Sequence, residues 1–386
     1  MKGILYHNYL FFFGVLYYLL LPIIVVRLKL LEDYPGMHHV YAYYDTNYLC
    51  LYLFIIVLLI GSFYFGSLIP LKYLRKRKKY DKVSPVVGGR DLLFMSLPFF
   101  MYGQYVIYGN INNLFQGYSV EYDVLFMGTI ATLNTLFLFL FIYNKGKKSV
   151  KCRYINIFFA LSAIEFSVVL LGLGSRMYIM IPCIAYILFL LDKNKINIKK
   201  MFLWGGLGVF FFLFIGVWRS GKIISLDFLL YIGAAEPVFT WISAASMFSM
   251  NSLPLIAFPS NFITSFYNFI PSVLLPDKNE LVSPIALEFD SPLGATNILV
   301  SLISNFGILG SCVAIFLLGF LLTFICLNFR TLFGRTYYYC ICGVIPFQLF
   351  RDAIPIVNKM LFYNLLLFPL ILFFIEKIFY KCSIKK

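Results

Sequence analysis

The chain has 386 residues, of which 61% are hydrophobic and only 13% are charged. Soluble domains carry roughly 25% charged residues, so composition excludes a soluble globular fold and points to a polytopic membrane protein. The net charge of +15 sits in short segments between apolar runs, where it orients helices and meets anionic headgroups rather than nucleic acid.

A helix needs about 20 apolar residues to cross a bilayer. That criterion predicts ten spans, at 9–26, 48–71, 92–109, 124–143, 154–173, 177–191, 201–218, 308–328, 336–350 and 360–380. The fold expected is an all-α polytopic integral membrane protein, one membrane domain over 1–386 with a long outer loop over 219–296. The first run, Tyr9–Val26, is too long for a signal-peptide core and is read as an uncleaved span. With both termini cytoplasmic, 24 of the 32 Lys and Arg fall on the inner side. The outer side holds only Arg27, Lys29, Arg176, Arg219, Lys222, Lys278, Arg351 and Lys359. That asymmetry sets the orientation and isolates a few outer cations as candidates for function.

The outer segments differ in size. The first, Arg27–Asn47, carries His38-His39 with nearby acids; adjacent loop histidines seldom close a metal site, and no metal is expected. Gly172-Leu-Gly-Ser-Arg176 is a tight hairpin. The segment from Arg219 to about Thr296 is the longest and rich in proline. Its apolar stretches Phe228–Met250, interrupted by Glu236-Pro237, and Phe262–Leu275 are expected to lie at the interface or re-enter the membrane. None of the eight cysteines falls in an outer loop, so no outer disulfide is expected.

No GxxxxGK[ST], GxGxxG or HExxH motif is present, and the inner loops are too small for a nucleotide-binding domain. No cofactor is expected, and chemistry belongs in the membrane or on its outer face. Arg176, beside Gly172 and Gly174, is either an anion site, binding phosphate oxygens through its guanidinium, or a snorkelling anchor. Arg219 in Val-Trp-Arg-Ser-Gly is either a second such cation or part of an interfacial belt. Arg351-Asp352 is either a local ion pair or a third contact, all three arginines being expected at the same membrane level. Glu165, inside a span, requires a partner. The stretch Asp290-Ser-Pro-Leu-Gly-Ala-Thr296-Asn297 leads into a helix capped by Thr296 or Asn297, and Asn305-Phe-Gly307 breaks that helix before the next span.

Gly-Ser-Arg176 at a span end, Trp-Arg219-Ser-Gly opening the long loop, and Pro-Leu-Gly-Ala-Thr…Asn-Phe-Gly-Ile-Leu-Gly closing it resemble the O-antigen polymerases of bacterial surface-polysaccharide assembly. Relatives of the last motif often carry an acid in the helix before Asn-Phe-Gly; Ile298–Ser304 has none. The resemblance implies a multi-span glycosyltransferase of the bacterial inner membrane. Its donor and acceptor would both be oligosaccharides on undecaprenyl diphosphate, and its protein partner would be a chain-length regulator. It implies that Arg176 and Arg219 stabilise the leaving diphosphate, that Asp290 deprotonates the acceptor hydroxyl, and that Arg351, Thr296 and Asn305 contact substrate. An O-antigen ligase and a flippase of the lipid-linked unit share parts of this layout and stay open as alternatives. Replacing Arg176 and Arg219 together by alanine is expected to abolish long surface glycan in the host strain. Glycan of normal length in that strain would remove both from the site.

Overall fold

The computed structural model describes residues 5–34, 36–74, 88–116, 127–147, 153–220, 225–250, 252–271, 274–291, 294–329, 331–367, 370–371 and 374. Among them all regular structure is helical. In chain order the helices are α1 Tyr6–Arg27, α2 Met37–Ala42, α3 Thr46–Leu74, α4 Gly89–Gly109, α5 Met127–Gly146, α6 Arg153–Gly172 and α7 Arg176–Asp192. There follow α8 Ile198–Ser220, α9 Leu226–Phe248, α10 Ser260–Thr264, α11 Ile298–Asn328, α12 Leu332–Val344, α13 Gln348–Arg351 and α14 Ile354–Met360. The chain is a multi-pass membrane protein: seven of these helices (α1, α3, α4, α6, α8, α9 and α11) are long and apolar enough to cross a bilayer.

The chain builds two compact units, each discontinuous in sequence. One comprises Met1–Lys78, Ile224–Asn328 and Val344–Lys359; the other comprises Lys79–Ile223, Phe329–Gly343 and Met360–Lys386. In the second unit α5 is the core helix, and Phe137 on it packs against Phe100, Phe158, Phe159 and Phe166 from α4 and α6. Gly103 makes room for the Phe166 ring. Two polar pairs lie inside this unit. Ser167 Oγ donates to Asn134 Oδ1 at 3.2 Å, and Gln104 Nε2 donates to Glu165 Oε1 at 2.8 Å. The latter is the partner that a carboxyl inside a span requires.

In the first unit α1, α3 and α11 form the core. Gly66 and Gly319 bring α3 and α11 together so closely that a Cβ on either would overlap the backbone of the other helix; small residues serve this purpose between membrane helices. Ser67 Oγ donates to Asn8 Oδ1 at 3.1 Å, and His7 hydrogen-bonds Thr323 at 3.0 Å. These contacts put the C-terminal part of α11 at the end where α1 begins.

Three local features shape this unit. First, α9 runs unbroken through Glu236-Pro237, where the sequence predicts an interruption. Length and composition would let α9 cross; its start packs on the segment that joins α1 to α3, and its end packs on the first turns of α3. Phe228 and Tyr231 pack on Tyr34, and Phe248 packs on Tyr48. Second, the expected span 336–350 is not continuous: α12 stops at Val344, the chain turns through Ile345–Phe347, and α13 begins at Gln348. Pro346 supplies no N–H and disfavours helix at the residue before it. Third, α11 breaks at Gly307, as expected, where φ is +70°. The amides freed by the break are taken up by a loop: Ile308 N donates to Pro254 O and Leu309 N to Leu255 O, each at 3.0 Å.

A Cβ at Gly307 would sit 2.6 Å from the backbone of Leu255 and Ile256. Gly307→Ala therefore combines left-handed strain, about 1–3 kcal/mol, with a backbone collision. It is expected to lower the apparent unfolding temperature of the detergent-solubilised protein strongly. Gly205→Ala, with nothing within 4 Å of the added methyl, is the matched control and should change little.

Candidate functional site

The most chemically distinctive cluster lies in the first unit, where α1, α9 and α13 meet. Pro22 cannot donate a backbone hydrogen bond, and ahead of it α1 widens into a π turn, Val15–Leu20, with Leu21 N–H reaching back to Leu16 O. Such turns recur at functional sites. Tyr17 and Tyr18 both lie in this one. Pro237 likewise leaves the carbonyl four residues earlier, Gly233 O, without its helical partner. Tyr17 OH donates to that oxygen at 2.7 Å, which is why α9 continues through its proline.

One turn further on, Tyr18 OH donates to Glu236 Oε1 at 3.2 Å. Arg351 Nε stands 3.0 Å from the same oxygen, and Arg351 Nη1 lies 3.9 Å from Asp352 Oδ1. The Nε–H points off the line to Glu236, so the contact is an ion pair rather than a directed hydrogen bond. Phe350 lies parallel to the Tyr18 ring at 6.2 Å, and Phe347 meets it edge-on at 6.5 Å. The arginine and glutamate side chains remain 33% and 29% exposed. Tyr17 and Tyr18 stand near the middle of the 22-residue α1, about 15 Å from Arg27 at 1.5 Å per residue. The ion pair is thus carried well below the end of the first span, deeper than the outer level expected for Arg351. Partly exposed charge at such depth is tolerated where it lines a wet cavity, not where it meets hydrocarbon.

The start of α11 adjoins this cluster. Thr296 N donates to Arg351 O at 2.9 Å, tying the half-helix ahead of Gly307 to the α13 segment. Of the two cap residues expected, Asn297 is the cap: its Oδ1 accepts from Leu299 N at 3.0 Å. The whole of 295–305 is buried. Within it Asn297 Nδ2, Ser301 Oγ and Ser304 Oγ have no protein partner. Positions 297, 301 and 304 share one helix face, so a polar stripe runs along the half-helix from its start.

Of the sequence candidates, the structure brings Arg351 and Thr296 together. Asp290 is exposed, its backbone N–H held by Ser246 Oγ at 3.0 Å. Asn305 is 1% exposed and braces the fold: Oδ1 accepts from Phe262 N at 2.7 Å, and Nδ2 donates to Ser301 O at 2.8 Å. Arg176 and Arg219 belong to the second unit. Arg176 opens α7 and is half-buried; the neighbouring glycines build the hairpin, since Gly174 has φ +84° and Gly172 O accepts Phe115 N at 2.8 Å. The side chains of Arg219, His38 and His39 lie outside the described residues. Sequence reasoning missed Glu236, Tyr17 and Tyr18. A glutamate in the middle of a 23-residue helix whose other acid, Asp227, stands in its first turn is the available signal, but beside Pro237 it reads as half of a helix-breaking pair. No family model, curated protein or solved structure matches the chain, so the polymerase resemblance stands on its motifs.

Proposed function

We propose that this protein is a glycosyltransferase that acts on sugars linked to a lipid diphosphate, and specifically that it joins oligosaccharide repeat units on undecaprenyl diphosphate, as an O-antigen polymerase does. The observation that carries the reading is the Glu236–Arg351 pair, partly exposed at depth among interrupted helices. A diphosphate is a better partner for a guanidinium than one carboxylate, because it offers several charged oxygens. On its arrival Arg351 trades Glu236 for the donor's phosphate oxygens, and Glu236 is left as a free carboxylate beside the reacting groups.

The transfer then follows. The acceptor hydroxyl attacks the donor's anomeric carbon, and its proton passes to Glu236. The new glycosidic bond forms as the bond from that carbon to the diphosphate breaks. The leaving diphosphate keeps the electron pair, and Arg351 stabilises the added charge. In this scheme Glu236 takes the role that the motifs assign to the exposed Asp290. The role that the motifs imply for Arg176 and Arg219 is tested by replacing them together. The enzyme would work on the outer face of a bacterial inner membrane with both termini cytoplasmic, following the positive-inside asymmetry.

A flippase of the lipid-linked unit is the second reading, favoured by one observation: half-helices broken at depth are also how transporters build their sites. Deletion separates the readings. A strain without the polymerase should display single repeat units, one without a flippase none, and one without a ligase glycan still on its carrier lipid. Restoring the gene with Arg351→Ala should leave the single-unit phenotype, with long glycan reduced at least about tenfold, while Asp290→Ala should retain most polymer. Polymer of normal length with Arg351→Ala would overturn the proposed role of the pair.

A further inference from the structure

A polymerase of lipid-linked units has a second problem: both donor and acceptor carry a diphosphate, and one ion pair can receive only one of them. A separate cationic site lies in the same unit. Lys278, in the long loop, is 4% exposed, and its Nζ donates to Ile270 O at 2.7 Å. Lys359, the last residue but one of α14, is exposed. The two come from distant parts of the chain, and the Asn358–Ser265 bond, in which Nδ2 donates to Oγ at 2.7 Å, joins the segments that carry them. That bond seats α14 on the 3-10 turn Ser265–Phe269, directly before the carbonyl that receives Lys278.

Two lysines on adjoining segments are ordinarily accompanied by a carboxylate within ion-pair distance. Among the described residues neither lysine forms an ion pair, and the only pairs are those of Arg351. Asp277 and Glu280 flank Lys278 in sequence, yet both are exposed, on turns closed by Glu280 N to Asp277 O and Leu281 N to Lys278 O. Covering and the charge of Lys359 both push the Lys278 ammonium below its usual pKa, the strain that an arriving anion would relieve. A covered lysine whose one acceptor is a carbonyl has donors left for phosphate oxygens, and Lys359 supplies a second charge on a long, exposed side chain.

We propose that Lys278 and Lys359 form a second anion site, which holds the diphosphate of the acceptor lipid while Arg351 engages that of the donor. This rests on the reading that both substrates are lipid diphosphates. The division suits the chemistry of each cation, since the guanidinium stabilises charge that develops during reaction and the ammonium pair anchors charge that does not change.

The test titrates farnesyl diphosphate into the full-length protein in phosphatidylcholine nanodiscs by calorimetry. Wild type should bind two equivalents per chain. Lys278→Gln with Lys359→Gln should bind one, and Arg351→Gln should also bind one. Lys359→Gln alone, at an exposed position that spares the fold, should weaken one of the two affinities on the order of tenfold. Two equivalents retained in the double lysine variant would overturn the proposal. So would a single wild-type equivalent that only Arg351→Gln abolishes, an outcome that leaves the polymerase reading standing. No binding by wild type would remove both readings. A parallel titration in nanodiscs containing phosphatidylglycerol distinguishes headgroups from substrate: full loss of the lysine-dependent equivalent would make the pair a lipid anchor and overturn its assignment to the acceptor, whereas retention supports it.

Discussion

The contact between Glu236 and Arg351 constrains much of what surrounds it. Charge carried below the end of a membrane span is costly, and it persists only when partners and geometry compensate. Here the compensation comes from three chain segments. Tyr18 supplies a hydroxyl to the carboxylate, Thr296 holds the backbone of Arg351, and Phe347 and Phe350 wall the tyrosine. The same assembly explains why regular helices are given up. Pro22 and Pro346 supply no N–H to a regular helix, and the π turn and the turn ahead of α13 carry Tyr18 and Arg351 to one carboxylate.

The local defects also support one another. Pro22 accompanies the π turn that presents Tyr17, and Tyr17 satisfies the carbonyl that Pro237 leaves open. Gly307 ends the half-helix whose start adjoins Arg351, and the loop at Pro254–Leu255 satisfies the amides freed there. Broken backbone within a membrane is viable only when each freed group finds a partner. The buried side-chain groups Asn297 Nδ2, Ser301 Oγ and Ser304 Oγ have no protein partner, and they lie on the half-helix whose start adjoins Arg351.

Much of the fold was legible in the sequence because apolar length and charge asymmetry are additive along the chain. The all-α class, the hairpin at Gly174, the cap at Asn297 and the break at Gly307 all follow from local chemistry. The site was less legible because its parts are distant in sequence. Glu236-Pro237 looks like a helix stop until Tyr17, more than two hundred positions earlier, is placed against Gly233. Arg351 looks like a neighbour of Asp352, yet its closer carboxylate is Glu236, at 3.0 Å against 3.9 Å. Asn305 is expected to touch substrate on motif grounds, and only the loop at Phe262 reveals that its amide serves as a brace. Pairings of this kind depend on tertiary packing, which periodicity does not encode.

The most direct measurement of the central claim is a double-mutant cycle on the purified protein at pH 7.5, comparing unfolding free energies of Glu236→Gln, Arg351→Met and the double variant. Removing one member strands the other's charge at depth, so each single variant should lose more stability than the double variant does. The coupling should be about 1–3 kcal/mol, within the range measured for residues in direct contact. Losses that add within about 0.5 kcal/mol, the behaviour of independent sites, would show that the two charges do not share a site.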